Sequence, residues 1–268
     1  MPPAEGGGME IRMVNETESY WSMRAKNEYL YKGEKLYTIT AAPYYVKRRE
    51  IIIKKLKNII TKYDCRRIVD VGCGDGEYLL KICDENKKYH GIDISTEMLK
   101  EAVKNCKDHN NISFELSERG TQKFHDYDMA YAVAVLAHVS DETMENLLKN
   151  IYDGMEDKGK ICICEQTAPY EFSGNGWKRR SFETYRDALE KQGFKCMIHE
   201  TFRIDFGIHR KLFERHIAKK ILSEKSRIEC NKNRVYLFLS RLCVFLSFKR
   251  LYHNKLNGWG YIFITAEK

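Results

Sequence analysis

The chain has 268 residues, of which 43% are hydrophobic and 31% charged. This composition is typical of a globular protein with a core, and it excludes a disordered, collagen-like or membrane-spanning class. The net charge of +8 is concentrated in residues 207–257, which hold thirteen Lys or Arg against three Glu, so the rest of the chain sums to −2. This imbalance indicates an anionic partner, although a solvated charged face explains it equally well.

The amino terminus and the cysteines indicate the cellular compartment of the protein. Residues 1–8 contain two prolines and three consecutive glycines, so we expect residues 1–14 to form a disordered leader without a signal peptide. Nine cysteines include no CxxC pair, and Cys162 and Cys164 project to one face of an alternating run. We therefore expect buried thiols in the cytoplasm and no metal site.

Two helices are predicted over residues 15–64, as a cover for the domain that follows. The first covers about residues 15–31, is rich in aromatics such as Tyr20 and Trp21, and ends at the turn-prone Lys32-Gly33. The second follows Pro43 and carries one apolar stripe, so it should pack on an edge of a sheet.

Residues 65–206 alternate between apolar runs and helical patterns, which predicts a doubly wound α/β core with a mostly parallel sheet. A last strand is predicted within residues 258–268, after an insertion at 207–257. The predicted strands are 68–71, 89–94, 112–116, 129–136, 160–165, 194–204 and 260–266, which makes seven; the predicted helices between them are 78–83, 95–105, 141–155 and 182–192.

The basic insertion contains one long apolar run, residues 235–248, broken by Arg241. Its fourteen residues are too few for a membrane span, which needs about twenty apolar residues. No transmembrane segment is therefore expected. We predict a lid or core-packed helix here, with a helix lying on a membrane surface as the alternative.

The first predicted strand of the core turns into a helix through three alternating glycines, Gly72, Gly74 and Gly76. Glycine permits the sharp turn and lets a ligand approach the backbone. A dinucleotide fingerprint would need glycine at position 77, where this chain has Glu77. Asp93 ends the next strand about twenty residues later, where a ribose-binding carboxylate belongs in such folds.

Three segments, VDVGCGDG, GIDIS and DMAYAVAVLAHVSD, resemble successive motifs of class I S-adenosylmethionine-dependent methyltransferases, which have a Rossmann-like fold. The resemblance covers residues 66–204 and the terminal strand. It implies that the methionine portion of S-adenosyl-L-methionine is held by the first motif, and that Asp93 accepts the two ribose hydroxyls, with Ile94 beside the adenine. The implied cofactor-binding residues are Asp70, Gly72, Cys73, Gly74, Gly76, Asp93, Ile94, Ser117 and Glu118.

The adenine contact departs from the family pattern. Many relatives have an Asp after the third strand, and this chain has Ser117 and Glu118 there. Simpler roles also exist for the two aspartates of the motifs: Asp70 would cap a turn, and Asp93 would cap the following helix together with Ser95.

Two residues are candidates for the chemistry. Methyl transfer from a sulfonium chiefly requires alignment of the acceptor and exclusion of water, and a hydroxyl acceptor also benefits from a base. His138 lies just beyond the fourth strand, at the edge where ligands bind in open α/β sheets, and a packing role is its alternative. Glu165 ends the fifth strand at that edge, and a solvated strand terminus is its alternative.

The segment 170–180 is predicted to be a flexible aromatic and basic loop on the same edge. Its Trp177, Arg179 and Arg180 are candidates for binding the substrate, although a plain surface loop explains them too. Arg48 and Arg49 enter the helix before the first strand. One of them could bind the methionine carboxylate, and solvent-facing cations are the simpler interpretation.

The predicted function is methyl transfer from S-adenosyl-L-methionine to a small hydroxylated acceptor. The pattern GNGWKRRS, a following helix and a basic-apolar insertion resembles envelope-polysaccharide methyltransferases, which favours a glycan or lipid-linked glycan. Alternatives are a natural-product methyltransferase, a non-catalytic cofactor-binding scaffold, and RNA or protein methylation; nucleic acid is disfavoured because no recognisable binding module is present. The predicted location is the cytoplasm, with peripheral membrane contact as an alternative.

Overall fold

The structure is a computed structural model. It describes Trp21, 30–31, 34–35, 42–117, 125–168, 170–174, 177–204, Val235, Phe238, Leu242, 251–252 and 260–268. The predicted leader, Glu118, the predicted first helix from 15 to 29 apart from Trp21, and nearly all of the basic insertion lie outside these residues.

The described N-terminal residues include a small ribbon. Strands β1 (Leu30–Tyr31) and β2 (Glu34–Lys35) pair antiparallel. The prediction of a helix reaching residue 31 is therefore wrong at its end, because the two strands flank the Lys32-Gly33 pair that the sequence marks as a turn.

Helix α1 (Ala42–Lys62) follows the predicted apolar stripe. Ile52, Leu56 and Ile60 recur every four residues and are buried. They pack in one cluster with Ile68 and Met129, which belong to two central strands. The helix thus covers a face of the sheet, so its predicted place at an edge is wrong.

The central sheet has eight described strands: β3 (Arg67–Val71), β4 (Lys88–Asp93), β5 (Ile112–Leu116), β6 (Tyr127–Val133), β7 (Met155–Thr167), β10 (Lys195–Ile204), β11 (Leu251–Tyr252) and β12 (Gly260–Glu267). Their order across the sheet is β11, β10, β12, β7, β6, β3, β4, β5. The helices between them are α2 (Glu77–Ile82), α3 (Thr96–Asn105), α4 (Asp141–Gly154) and α5 (Phe182–Lys191).

Strands β3 to β7 pair parallel, and β12 lies antiparallel between β7 and β10. The predicted doubly wound, mostly parallel sheet of seven strands is therefore confirmed, with the two-residue β11 added at its edge. The chain runs from β3 to β4 and β5 on one side and then crosses to β6 on the other. The carboxyl ends of β3 and β6 thus form the switch point, where ligands bind in open α/β sheets.

Alternate side chains of the central strands point into two core layers, one on each face of the sheet. Ile68 and Met129 face the layer under α1, whereas Val69 and Ala130 face the layer under α4 and α5. Cys162 and Cys164 share the α1 layer and are buried. Within the described part of the chain, no helix is both long enough and apolar enough to cross a membrane.

One element boundary differs where it matters for the site. Strand β6 ends at Val133, not at 136 as predicted, because Ala134 adopts a left-handed conformation with φ of 57°. A 3₁₀ turn, Leu136–His138, follows. The apolar sequence continues beyond Val133, and its Leu136 and Ala137 are buried in the turn rather than in the sheet.

Candidate functional site

The glycine loop, residues 72–76, bends back over the end of β4. Gly72, Gly74 and Gly76 have φ of 72°, 55° and 76°, values that side chains disfavour. The backbone N–H groups of Gly72 and Cys73 both donate to the Ile92 carbonyl, at 2.8 and 2.9 Å. The predicted sharp turn through three glycines is therefore confirmed.

Each glycine has different surroundings. A Cβ added at Gly72 would lie 2.4 Å from Val135 Cγ2, so the loop touches the turn after β6. A Cβ at Gly76 would lie 3.2 Å from atoms of α3 and β5. A Cβ at Gly74 would meet no atom within 4 Å, so the backbone there is open to a ligand.

The Asp93 carboxylate holds the loop and the next helix together. Its Oδ2 accepts a hydrogen bond of 2.9 Å from Gly74 N–H, and its Oδ1 accepts one of 2.8 Å from Ser95 N–H. Ser95 Oγ in turn caps α3 by accepting from Met98 N–H. Burial raises the pKa of Asp93. The capping role weighed from the sequence is present, and a carboxylate has further lone pairs for a diol.

Asp70 lies beneath the loop and is buried. The hydroxyl of Tyr131, its direct neighbour on β6, donates a 2.8 Å hydrogen bond to Oδ2. Burial raises the pKa of Asp70 to about 8, although this hydrogen bond lowers it. Tyr131 was missed by the sequence reasoning; its position in a parallel strand is the signal that could have revealed it.

The remaining predicted cofactor residues lie at the same edge. Cys73 is buried within the loop, and Ile94 is half-buried directly after Asp93. Ser117 is half-buried after β5, and its N–H donates to the Asp93 carbonyl at 2.8 Å. Glu118 lies outside the described residues. The structure thus brings the described members of the predicted set together at the ends of β3, β4 and β5.

His138 ends the 3₁₀ turn beyond β6, on the other side of the glycine loop. Its half-buried ring contacts Trp21 edge to face, with 5.3 Å between ring centroids. This contact supports the packing role, and it also fixes the ring beside the switch point.

Glu165 differs from both of its interpretations. It is 0% exposed, so the prediction of a solvated terminus is wrong and the side chain does not reach an acceptor. Its Oε1 accepts hydrogen bonds of 2.7 Å from the N–H groups of Val135 and Leu136. Burial raises the pKa of Glu165 to about 7, although these amides and Arg180 lower it.

Arg180 does not face a substrate either, because its side chain is 0% exposed. Its guanidinium donates to the carbonyls of Leu136 and Val139 at 2.5 and 2.7 Å, and to Asp141 Oδ1 at 2.7 Å. The predicted substrate contact of Arg180 is therefore wrong, because every nitrogen of its fork binds the protein itself.

The rest of the predicted loop forms a hairpin. Strands β8 (Phe172–Gly174) and β9 (Trp177–Arg179) pair antiparallel, and the Asn175-Gly176 between them is the sequence signal for a two-residue hairpin turn. Trp177 and Arg179 share one face of β9, with the guanidinium 5.3 Å from the ring centroid. Both are half-buried.

The simpler interpretation, that the two arginines of α1 face solvent, is wrong. Arg48 donates to the hydroxyl of Tyr261 at 2.9 Å. Arg49 forms an ion pair with Glu77, the first residue of α2, and its side chain is only 11% exposed. Arg49 thus braces the helix that follows the glycine loop.

The fold, the glycine loop and the strand-end carboxylate define a Rossmann-like domain that binds its cofactor at the switch point. Residues 68–159 match the family described as Methyltransferase domain. This span runs from β3 into β7 and includes the whole glycine loop and Asp93. The chain thus contains a methyltransferase domain of the class I, S-adenosylmethionine-dependent type, and S-adenosyl-L-methionine is the cofactor of this domain.

Curated relatives extend the match unequally. The chain is 26% identical over 208 residues to a phosphoethanolamine N-methyltransferase of Plasmodium falciparum, an alignment that covers 70% of this chain and 76% of that protein. It is 31% identical over 102 residues to a carboxy-S-adenosyl-L-methionine synthase of Helicobacter pylori, covering 37% and 42%. The chain therefore spans less than half of the second relative.

Solved structures share the fold at low identity. An O-methyltransferase of Brevibacillus brevis in complex with S-adenosyl-L-homocysteine has a TM-score of 0.58 at 14% identity, covering 86% of this chain and 77% of that one. The [4+2]-cyclase SpnF has a TM-score of 0.54 at 18% identity, covering 80% of both. Since one neighbour is a cyclase, the fold does not fix the reaction.

The residues present fit S-adenosyl-L-methionine. The backbone at Gly74 leaves room for a ligand. Asp70 lies near the end of β3, and Asp93 ends the neighbouring β4. Their carboxyl groups can accept hydrogen bonds from the ammonium group and the ribose diol of the cofactor.

Proposed function

We propose that this methyltransferase acts on a small molecule that carries a phosphate group, with phosphoethanolamine as the first acceptor to test. The likeness to the Plasmodium falciparum enzyme carries the proposal: its 208 aligned residues are more than twice the span 68–159. The similarity therefore extends well beyond residues 68–159, which hold the glycine loop and Asp93. The basic excess of residues 207–257 agrees with an anionic acceptor.

We place the methionine portion of the cofactor beside Asp70 and the glycine loop, with Gly72, Cys73, Gly74 and Gly76 as its backbone cradle. Asp93 would accept the ribose hydroxyls. Ile94, Ser117 and Glu118 would lie toward the adenine. When bound, the cofactor supplies a methyl group on a positively charged sulfur, which is a good leaving group.

The acceptor would approach from the β6 and hairpin side. His138 would take the proton that the nucleophilic amine or hydroxyl loses, since it lies one turn from Val135, which touches the glycine loop. Trp177 and Arg179 would receive the anionic group, because a guanidinium pairs with phosphate through two hydrogen bonds.

A hydroxylated acceptor such as a lipid-linked glycan is the second candidate. Three apolar residues, Val235, Phe238 and Leu242, are helical and are spaced three and four positions apart. They are 56%, 64% and 42% exposed. An apolar stripe within a basic segment would bring the enzyme to an anionic membrane surface. Free cysteines in the described residues agree with a reducing compartment, so we place the reaction in the cytoplasm.

The test is transfer of a labelled methyl group by the purified protein to three acceptors: phosphoethanolamine, ethanolamine and a lipid-linked glycan. Phosphoethanolamine should be methylated, and ethanolamine should not, because it lacks the phosphate. Equal rates on both amines would overturn the role of the phosphate. Methylation of the glycan alone, with sedimentation on phosphatidylglycerol vesicles, would support the second candidate instead.

A further inference from the structure

The acceptor-side turn, residues 134–139, is strained. Ala134 has φ of 57°, a left-handed conformation that is unfavourable for a residue with a Cβ. Such a conformation persists only where the surroundings hold it, and it marks positions where geometry serves function. The turn connects β6 to α4 and carries both Val135, which touches the glycine loop, and His138.

Two buried side chains of opposite charge hold this turn. Glu165, near the end of β7, accepts from two of its N–H groups, and Arg180 donates to two of its carbonyls. Both side chains have no exposed surface. Four backbone groups of one short segment thus bind side chains more than 25 positions away in the sequence, rather than a helix or a strand.

Arg180 also ties the turn to the hairpin. It directly follows β9, and its Nε binds Asp141, the first residue of α4. Lys178 of the same hairpin donates to the other Asp141 oxygen at 2.6 Å. Although burial raises the pKa of Asp141, the hydrogen bonds from Lys178 and Arg180 lower it further, so the carboxylate stays charged. The negative charge of Asp141 therefore compensates part of the positive charge of Lys178 and Arg180.

We propose that Glu165 and Arg180 are positioning residues for methyl transfer, which lock the turn that carries His138 to the hairpin that carries Trp177 and Arg179. Neither touches the acceptor. The proposal rests on the proposed function for the roles of those three residues. A displacement of about 1 Å at a reacting group can cost about 10²-fold in rate, so a small loosening of this lock is measurable.

The lock is tested with Arg180→Lys, which keeps the charge but loses the guanidinium fork. The control is Arg186→Lys, since the Arg186 side chain is 39% exposed and forms ion pairs within its own helix α5, with Asp187 at 2.7 Å and Glu190 at 3.9 Å. Three quantities are measured for each: amide hydrogen exchange of residues 134–139 and 171–180, the dissociation constant of S-adenosyl-L-homocysteine, and kcat and KM.

Arg180→Lys should speed exchange at least tenfold in both segments together and lower kcat at least tenfold, while the dissociation constant changes less than threefold. Arg186→Lys should match the wild type in all three. Faster exchange with an unchanged kcat would reduce the pair to a structural role and overturn the proposal. Unchanged exchange, or exchange that rises in one segment only, would overturn it as well.

A second variant covers poor folding of the first. Asp141→Asn removes the charge that links Lys178 to Arg180, at a residue that is 56% exposed, and should raise exchange in the same two segments. The exchange measurements need no acceptor. If phosphoethanolamine is not methylated, they still decide whether the turn and hairpin are locked, and kcat is then measured on the acceptor that the methyl-transfer panel identifies.

Discussion

The Tyr131 hydroxyl and the Asp70 carboxylate lie 2.8 Å apart on neighbouring parallel strands, directly beneath the glycine loop. Both side chains are buried, and burial raises the pKa of each. Since the pKa of Asp70 rises to about 8, its carboxyl group holds a proton at neutral pH in the folded protein without a bound cation.

The first prediction concerns the pH dependence of stability. The folded pKa of Asp70, about 8, exceeds its ordinary value of 3.8. Its contribution to the free energy of unfolding is therefore complete below pH 3.8 and is lost as pH rises to 8, by up to about 1.4 kcal/mol per pH unit. Asp70→Asn removes this titration, so its stability relative to wild type should rise between pH 5 and 8.

Urea unfolding at pH 5, 6, 7 and 8 measures this difference. Asp84→Asn serves as the control, because the Asp84 carboxylate accepts from Asn86 in the turn before β4, away from the loop. The same slope in wild type and Asp70→Asn would show that Asp70 is ionised throughout this range.

The second prediction is that cofactor binding releases a proton. The ammonium and sulfonium of S-adenosyl-L-methionine would lower the pKa of Asp70 if they lie beside it. The calorimetric binding enthalpy at pH 7 should therefore differ between phosphate and imidazole buffers, which take up protons with different enthalpies. Asp70→Asn should remove the difference; a wild-type enthalpy independent of buffer would contradict the placement of the cofactor beside Asp70.

The sequence predicts those parts of the site whose contacts join residues close together in the chain. The glycine loop and Asp93 depend on residues within about twenty positions, and their spacing predicted the turn and the strand end. Glu165 and Arg180 depend on backbone atoms that lie some 30 to 44 positions earlier in the chain. A charged residue gives no local sign that its partner is a distant backbone group, so the sequence placed Glu165 at a strand terminus and Arg180 in a substrate loop.

The third prediction separates two glycines of the loop. Both Gly72→Ala and Gly74→Ala place a side chain at positive φ, at a cost of about 1–2 kcal/mol. Gly72→Ala also collides with Val135, which should cost a further 1–3 kcal/mol or so. It should therefore lower the free energy of unfolding more, whereas Gly74→Ala should mainly weaken S-adenosyl-L-homocysteine binding, because its methyl group fills the open space.

Chemical unfolding and calorimetry of both variants test this contrast. The double variant Gly72→Ala/Val135→Ala is the matched control, because it removes the colliding methyl groups and should recover part of the lost stability. Equal losses of stability at the two positions would contradict the close contact between Gly72 and Val135.

The fourth prediction concerns Asp93. Asp93→Ala removes the acceptor for Gly74 and Ser95 N–H, so the free energy of unfolding should fall by about 1–3 kcal/mol. It should also raise the dissociation constant of S-adenosyl-L-homocysteine at least tenfold, because the ribose diol loses a twofold acceptor. Calorimetry at a temperature where the variant is folded measures this, beside Asp84→Ala. A folded variant with wild-type affinity would leave Asp93 with its capping role alone.

The fifth prediction distinguishes proton transfer from packing at His138. His138→Phe keeps an aromatic ring against Trp21 but cannot take a proton, whereas His138→Ala loses both. If His138 is the base, both variants should lower kcat by roughly 10²-fold or more, with little change in S-adenosyl-L-homocysteine affinity. His125→Phe, at an exposed histidine before β6, should leave kcat unchanged. If the ring only packs, His138→Phe should retain wild-type kcat while His138→Ala loses it, and the proton must then leave the acceptor by another route.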